Sequence, residues 1–338
     1  MNHKKKPADF CKIAAGNLLR CIFSVLFVTI FQMIFGAENT LVGVAVSVGV
    51  TMYPECYTGL RPLSMGIAIV VLITGGGIVS QFYFASPWLA LPVNFLFGLL
   101  IMTFTSQPAM LQPAIVYLLT FVFAQATAVP MALFKRRLLA CLIGGFLVTA
   151  ITLICWKRRG YGANGHTLAE HAKQCLEHPG YILRMSTGLS AAMFIGMILH
   201  VKKPLWISIV VMSLTQPEYT DTKARIKNRS IGTVCGFIAF IFLLRFLIPE
   251  RFHIFFILFL GYIGFFTTKY RYKQIINAIC ALNASLLLLD TPHALLNRAL
   301  CLVTGIIIVL VLWKLELTIQ KIYRKRKPVL SDQLPLTD

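Results

Sequence analysis

The chain has 338 residues, of which 57% are hydrophobic and only 13% are charged. Several uninterrupted apolar runs approach or exceed about 18 residues, which is typical of membrane-spanning helices and excludes an ordinary soluble domain. The net charge of +20 would favour nucleic acid as the partner of a soluble protein. Here the basic residues lie in loops and tails, where they set topology and contact anionic headgroups of the lipid bilayer. We therefore expect a polytopic membrane protein that does not bind nucleic acid.

The nine cysteines are scattered along the chain and form no CxxC pair. They predict neither a disulfide framework nor a zinc site, and we expect no metal or cofactor. His171, Cys175 and His178 share one face of a predicted linker helix, but a fourth zinc ligand is not evident. The sequence contains no nucleotide-binding loop, nucleophile motif or cluster of histidines and carboxylates, so we do not expect an enzyme.

The apolar runs predict an all-α fold with twelve membrane helices, six in each half of the chain. The first membrane unit, 18–156, has predicted spans near 18–36, 40–53, 62–80, 88–105, 112–129 and 137–156. The second unit, 183–314, has predicted spans near 183–199, 205–216, 229–248, 253–267, 274–289 and 298–314. Residues 1–17 and 315–338 are basic tails. The linker, 157–182, is polar and predicts one short helix from Thr167 to about Glu177.

Two pairs of matching segments occur in the same order and indicate a duplicated half. Thr40–Tyr53 and Leu205–Thr215 are short apolar runs followed by proline and glutamate, 163 residues apart. Arg137 and Arg298 each precede a glycine by seven residues, at an offset of 161. Six spans in each half predict two parallel repeats related by a pseudo-twofold axis along the membrane normal.

The distribution of lysine and arginine predicts that both termini are cytoplasmic. With this orientation, 24 of the 32 basic residues lie on the inner side and 7 on the outer side, as the positive-inside rule requires. Lys135–Arg137 and Arg298 lie on the outer side despite that rule. We therefore expect these arginines to lie within the bundle, at an outer vestibule.

The second half carries a recognisable set of motifs: a short span led by Trp206, a Gln216-Pro217 ending, a basic loop, and Arg229-x-x-Gly232-Thr-x-x-Gly236. Over roughly Ser190 to Leu312 it resembles the fusaric acid resistance-like family of the aromatic acid exporter superfamily. The resemblance implies export of hydrophobic weak organic acids across the bacterial inner membrane, often with a periplasmic adaptor of the membrane-fusion type. The first half departs from the pattern at Leu41, where a tryptophan is expected, and at Tyr53, which replaces the glutamine. Whether it contacts substrate stays open.

Short helices at matching positions of two repeats point to a transport site, because irregular backbone at membrane depth is tolerated only around a cavity. Arg229 offers a fixed fork of donors for a carboxylate, although many such arginines only anchor the end of a span. We expect the two short helices to meet around a solvated hollow. The predicted substrate-binding residues are Trp206, Gln216, Pro217, Tyr219, Arg229, Gly232, Arg137 and Arg298.

Glu55 and Glu218 follow the two short spans at matching positions and are candidates for proton coupling, with Asp290 as a third. A carboxylate at the mouth of a partly dry cavity holds a proton more readily and could exchange it during transport. The alternative is that each residue caps the following helix or pairs with a basic neighbour.

Together these features predict a multi-pass inner-membrane efflux transporter for small organic anions, in particular aromatic carboxylic acids, coupled to protons. A passive organic-anion channel and a non-transporting scaffold subunit of an envelope complex are the alternatives. A periplasmic adaptor and a homo-oligomer are the protein partners considered.

Overall fold

The computed structural model describes residues 7–84, 86–161, 165–286 and 290–326. Over these ranges the chain forms α-helices, short helical turns and one isolated bridge between Leu60 and His166. The α-helices are α1 (Pro7–Phe35), α2 (Thr40–Met52), α3 (Pro62–Val79), α4 (Pro87–Thr105), α5 (Ala114–Ala126), α6 (Met131–Arg159), α7 (Leu168–Leu176), α8 (Pro179–Ile198), α9 (Leu205–Leu214), α10 (Tyr219–Ile241), α11 (His253–Gly264), α12 (Tyr270–Ser285) and α13 (Thr291–Arg326).

Each of the twelve predicted spans overlaps one α-helix, and the predicted linker helix corresponds to α7. Seven described helices are long and apolar enough to cross a membrane, namely α1, α3, α4, α6, α8, α10 and α13. These helices expose large apolar side chains such as Leu19, Met33 and Ile238, which suits contact with lipid. The chain is thus an all-helical, polytopic membrane protein, and the count of twelve crossings in two repeats stays a prediction.

The short apolar runs fold as short helices. α2 has 13 residues and α9 has 10, so α9 rises only about 15 Å against a hydrocarbon core of about 30 Å. α5 is equally short, with 13 residues. Helices of this length end inside the protein, where each free carbonyl needs a donor from another side chain.

Matching helices make matching contacts in the two halves. α1 packs on α2 and α8 on α9; α2 packs on α6 and α9 on α13; α3 packs on α5 and α10 on α12. Between the halves, α4 packs on α8, and the matching pair α11 and α1 is in contact as well. A Cβ at Gly144 would meet Val46 of α2, and a Cβ at Gly305 would meet Val210 of α9. This correspondence supports the predicted duplication.

The halves differ in how tightly they close. In the first half α3 packs closely on α6, whereas the matching α10 touches α13 only slightly. The second half therefore has two apolar clusters, one formed mainly by α8, α9 and α13 and the other by α10, α11 and α12. We call these two groups the α9 unit and the α10 unit.

The prediction that α2 and α9 meet around a solvated hollow is wrong. α5 packs against both α2 and α9. The surface of another helix, and not an open space, therefore lies beside each of them. Gly43 and Gly49 of α2 approach the apolar side chains of Phe31, Val116 and Val148. At Gly43 and Gly49, α2 is thus in contact with apolar side chains and not with a hollow.

Glycines allow the close contact between α10 and α12. A Cβ at Gly232 would lie 2.8 Å from the Arg271 carbonyl oxygen, and one at Gly236 would lie 2.6 Å from Cβ of Ala278. Glycines four residues apart allow such a close approach of another helix, and Gly232 packs directly against α12.

Gly232→Ala should lower the stability of the protein by about 1–3 kcal/mol, because the added methyl forces backbone apart in a close-packed contact. Gly261→Ala on α11 is the matched control, since nothing lies within 4 Å of its Cβ position. Thermal unfolding of the purified variants, followed by tryptophan fluorescence, measures the difference. Equal unfolding temperatures for Gly232→Ala and the wild type would contradict the packing described.

α7 docks on the membrane bundle through its apolar face. Thr167 and Glu170 form a reciprocal capping box that begins the helix, and His171 and Cys175 are buried beneath it. His178 is exposed and does not join them. His171 lines a small cavity with Thr105, Gln107 and Tyr117, among other residues, and no carboxylate lines that cavity in the described part of the chain.

Docking of α7 should weaken in acid. Burial, and less strongly the charge of His166, lowers the pKa of His171 below its ordinary value of 6.5. The docked state therefore favours neutral imidazole, so its stability is complete above about pH 6.5 and is lost as the pH falls towards the lowered pKa. Amide hydrogen exchange of α7, corrected for intrinsic rates, should be faster at pH 5.5 than at pH 7.5. In His171→Leu the protection should be the same at both pH values.

Candidate functional site

Polar side chains connect the α9 unit to the α10 unit near the end of α9. Arg229 is 3% exposed, and its Nη1 donates hydrogen bonds to Ser213 Oγ and to the Tyr270 hydroxyl. Nη1 of Arg225, one turn earlier, donates to the Ser213 carbonyl at 3.2 Å, and its guanidinium lies 5.2 Å from the Tyr270 ring. We call Ser213, Arg225, Arg229 and Tyr270 the Arg229 cluster. Neither arginine pairs with a carboxylate within the described ranges.

A second buried arginine lies at the other end of α9. The Arg298 guanidinium lies 3.9 Å from the centroid of a Trp206 ring, and the residue is 7% exposed. Nη1 of Arg298 and Nε1 of Trp206 are both buried and have no hydrogen-bond partner among the described residues. Arg298 and Arg229 also repel each other as like charges. α9 therefore has a buried guanidinium near each end.

Arg137, which matches Arg298 in the first half, is fully buried. Its donors bond to protein oxygens: the side chain of Asn39, the carbonyls of Glu38 and Ala124, and both oxygens of Thr127. These bonds tie the end of α5 to the start of α2. The predicted burial of Arg137 and Arg298 is thus confirmed. The donors of Arg137, however, are bonded to oxygen atoms of the protein itself.

Arg184 caps the end of α9 and was missed as a site residue, because the sequence placed it at the edge of the linker. Its Nη2 donates to the carbonyls of Gln216, at 3.2 Å, and Pro217, at 2.8 Å. Its Nη1 forms an ion pair with Glu316 of α13. One feature of the sequence points to this role, because Arg20 stands at the matching position of α1. Arg20 pairs with Glu55 at 2.7 Å.

The other predicted binding residues do not converge on one place. The Gln216 side chain accepts a hydrogen bond from Gln112 at 2.8 Å, which links the two halves of the chain. Tyr219 is exposed and packs edge-on against Trp313, so it lies at the opposite end of α9 from Trp206.

The three candidate proton carriers are exposed. Glu55 pairs with Arg20. Asp290 lies just before α13, and its carboxylate is hydrogen-bonded to His293 in the first turn of that helix. Glu218 precedes α10, and its backbone carbonyl accepts a hydrogen bond from Thr222. None of the three has the dry surroundings that the coupling hypothesis needs, so proton coupling stays a prediction.

Gln125 of α5 is a further polar residue that faces α9. It is 3% exposed, and both atoms of its amide lack a hydrogen-bond partner in the described chain. It lines a small void with Ser208 of α9, Met193 and Met197 of α8, and other residues. A polar group at this position gives water a place to bind next to α9.

Residues 191–312 match the family model described as fusaric acid resistance protein-like. The second half of the chain is therefore similar to this family. The matched range runs from α8 to α13, so it includes the Arg229 cluster, Trp206 and Arg298, and it excludes Arg137. The match confirms the resemblance predicted from the motifs around α9.

A stretch of 67 residues is 46% identical to the uncharacterized protein YhfK of Escherichia coli (strain K12). This match covers 20% of the present chain and 10% of YhfK. No solved structure matches the chain.

Arg137→Gln should destabilise the protein by roughly 3 kcal/mol, because it leaves several buried carbonyl oxygens without donors. Arg136→Gln is the control, since Arg136 is about half exposed and lies 3.7 Å from Glu38 in a loose ion pair. Thermal unfolding in detergent should show a large fall in midpoint for the first variant and little change for the second. Similar midpoints for the two variants would argue against a structural role for Arg137.

Proposed function

We propose that the protein is an inner-membrane transporter that exports small organic anions, in particular aromatic carboxylates, along the boundary between the α9 unit and the α10 unit. The observation that carries this proposal is the series Arg225, Arg229 and Arg298. None of the three pairs with a carboxylate in the described residues. Arg229 and Arg298 are buried, and a buried cation in a membrane protein is a candidate functional site when the protein does not satisfy its charge and donors itself.

The spacing of these arginines suits stepwise passage of an anion. Arg225 and Arg229 are one helical turn apart, about 6 Å, and Trp206 and Ser213 are separated by about 10 Å along α9. Sites this close hold an anion in turn, and no single site needs to bind it so tightly that release becomes slow. If both termini are cytoplasmic, Arg225 lies at the inner end of the series and Arg298 at the outer end.

Several polar contacts cross this boundary. Nζ of Lys203 donates to the Ala284 carbonyl, and Nε1 of Trp313 donates to Thr222 Oγ1. Polar groups of this kind can exchange partners with water or a passing anion at a lower free-energy cost than a shared apolar core can be opened. The family match supports a membrane transporter, while the aromatic substrate class, the proton coupling and the periplasmic adaptor stay predictions.

Flux of radiolabelled benzoate into proteoliposomes tests the proposal. Arg229→Gln should reduce the rate at least tenfold, because the buried positive charge is lost while the side chain remains able to bond to Ser213. Lys227→Gln is the matched control, since Lys227 is an exposed basic residue on the same helix, and it should transport at close to the wild-type rate. Wild-type protein that carries no benzoate would favour the scaffold alternative.

The driving force distinguishes the two transport mechanisms. Uptake that requires an imposed proton gradient supports the coupled exporter. Uptake that follows the membrane potential and the benzoate gradient alone supports a passive channel. In the coupled case Glu218→Gln and Glu55→Gln should lower the proton-driven rate without changing benzoate exchange at equal pH.

A further inference from the structure

Arg137 and Arg298 occupy matching positions in the two halves but have opposite hydrogen-bonding states. Five hydrogen bonds occupy the Arg137 guanidinium, all with oxygens of the protein. Nη1 of Arg298 is buried and has no partner in the described part of the chain, and the same is true of Nε1 of Trp206. The two unpartnered donors belong to groups in direct contact, since the guanidinium lies 3.9 Å from an indole ring centroid.

Buried donors without acceptors are rare in folded proteins, because the free energy of removing them from water is not recovered. Arg298 also carries a positive charge with only 7% of its surface exposed. Burying this charge adds to the free-energy cost of the unpaired donors. Arg229 raises the local positive potential further, as its charge opposes that of Arg298. A ligand that accepts hydrogen bonds and carries negative charge removes each of these costs at once.

We propose that Arg298 and Trp206 form a carboxylate-binding subsite at the end of α9 remote from the Arg229 cluster. One carboxylate accepts hydrogen bonds from Nη1 of Arg298 and Nε1 of Trp206. Its two oxygens supply enough lone pairs for both donors, and their planar arrangement matches the planar fork of the guanidinium. This inference rests on the proposed transport of organic anions and assigns the outer binding step to one half of the chain.

No equivalent subsite occurs among the described residues of the first half. Arg137 already bonds to oxygens at the end of α5 and the start of α2, and α2 contains no tryptophan. The described residues therefore offer one such subsite in each polypeptide instead of two.

Isothermal titration calorimetry of the full chain in lipid nanodiscs tests the subsite, with benzoate as the probe. Arg298→Gln should weaken benzoate binding at least tenfold, and Trp206→Phe should weaken it several-fold, since phenylalanine keeps an aromatic ring but has no N–H donor. Arg136→Gln should bind as the wild type does. Benzamide, a neutral molecule of the same shape, should not compete with benzoate.

Unchanged benzoate affinity in both Arg298→Gln and Trp206→Phe would overturn the subsite, as would a wild type that does not bind benzoate. Chloride that binds as tightly as benzoate, with loss in Arg298→Gln, would identify a site for small inorganic anions and overturn the carboxylate assignment. If Arg298→Gln does not fold, Arg298→Lys and Trp206→Phe decide the question, because both are expected to weaken binding.

The flux experiment separates failure of this subsite from failure of the proposed function. Normal wild-type benzoate flux together with unaltered binding in Arg298→Gln would overturn the subsite and leave transport intact. Absence of wild-type flux together with binding that Arg298→Gln abolishes would leave the subsite intact and overturn transport.

Discussion

Helices that end inside a membrane protein leave carbonyl groups that water cannot reach, and this constraint governs the arrangement of the short helices. At the end of α2 the carbonyls of Tyr53 and Pro54 accept hydrogen bonds from Trp156 and Arg159. Arg137 serves the end of α5 in the same way, and Arg184 serves the end of α9. A guanidinium suits this role because it supplies several donors and a positive charge, which a helix C-terminus favours.

The same requirement separates structural arginines from available ones. An arginine whose donors are occupied by helix ends, such as Arg137, has little capacity left for a ligand. Arg229 bonds to two hydroxyl groups, which can exchange partners, and Arg298 retains an unused donor. Burial alone therefore does not identify a binding residue. The decisive property is how many of its donors the protein itself has satisfied.

Periodicity and span length predicted the helices well, because apolar runs, prolines and caps act along the chain itself. α7 begins where its Thr167–Glu170 capping box predicts, and the glycines of α10 approach α12 as their spacing indicates. The partners around each helix axis could not be predicted in this way. Arg184 acquires its role only when α8 brings it to the end of α9, and Trp206 contacts Arg298 only when α13 packs beside α9.

The two halves share a packing scheme but differ in how their matching arginines are hydrogen-bonded. In the first half the close contact of α3 with α6 leaves apolar surface around α2, and the arginine there stabilises the bundle. In the second half the looser contact of α10 with α13 leaves a polar boundary, and the matching arginine keeps a free donor. One half can thus lose contact with a ligand without loss of the fold, provided that the other half keeps its boundary open. The α10 unit meets the α9 unit through these polar contacts and through a few apolar ones, such as that of Ile226.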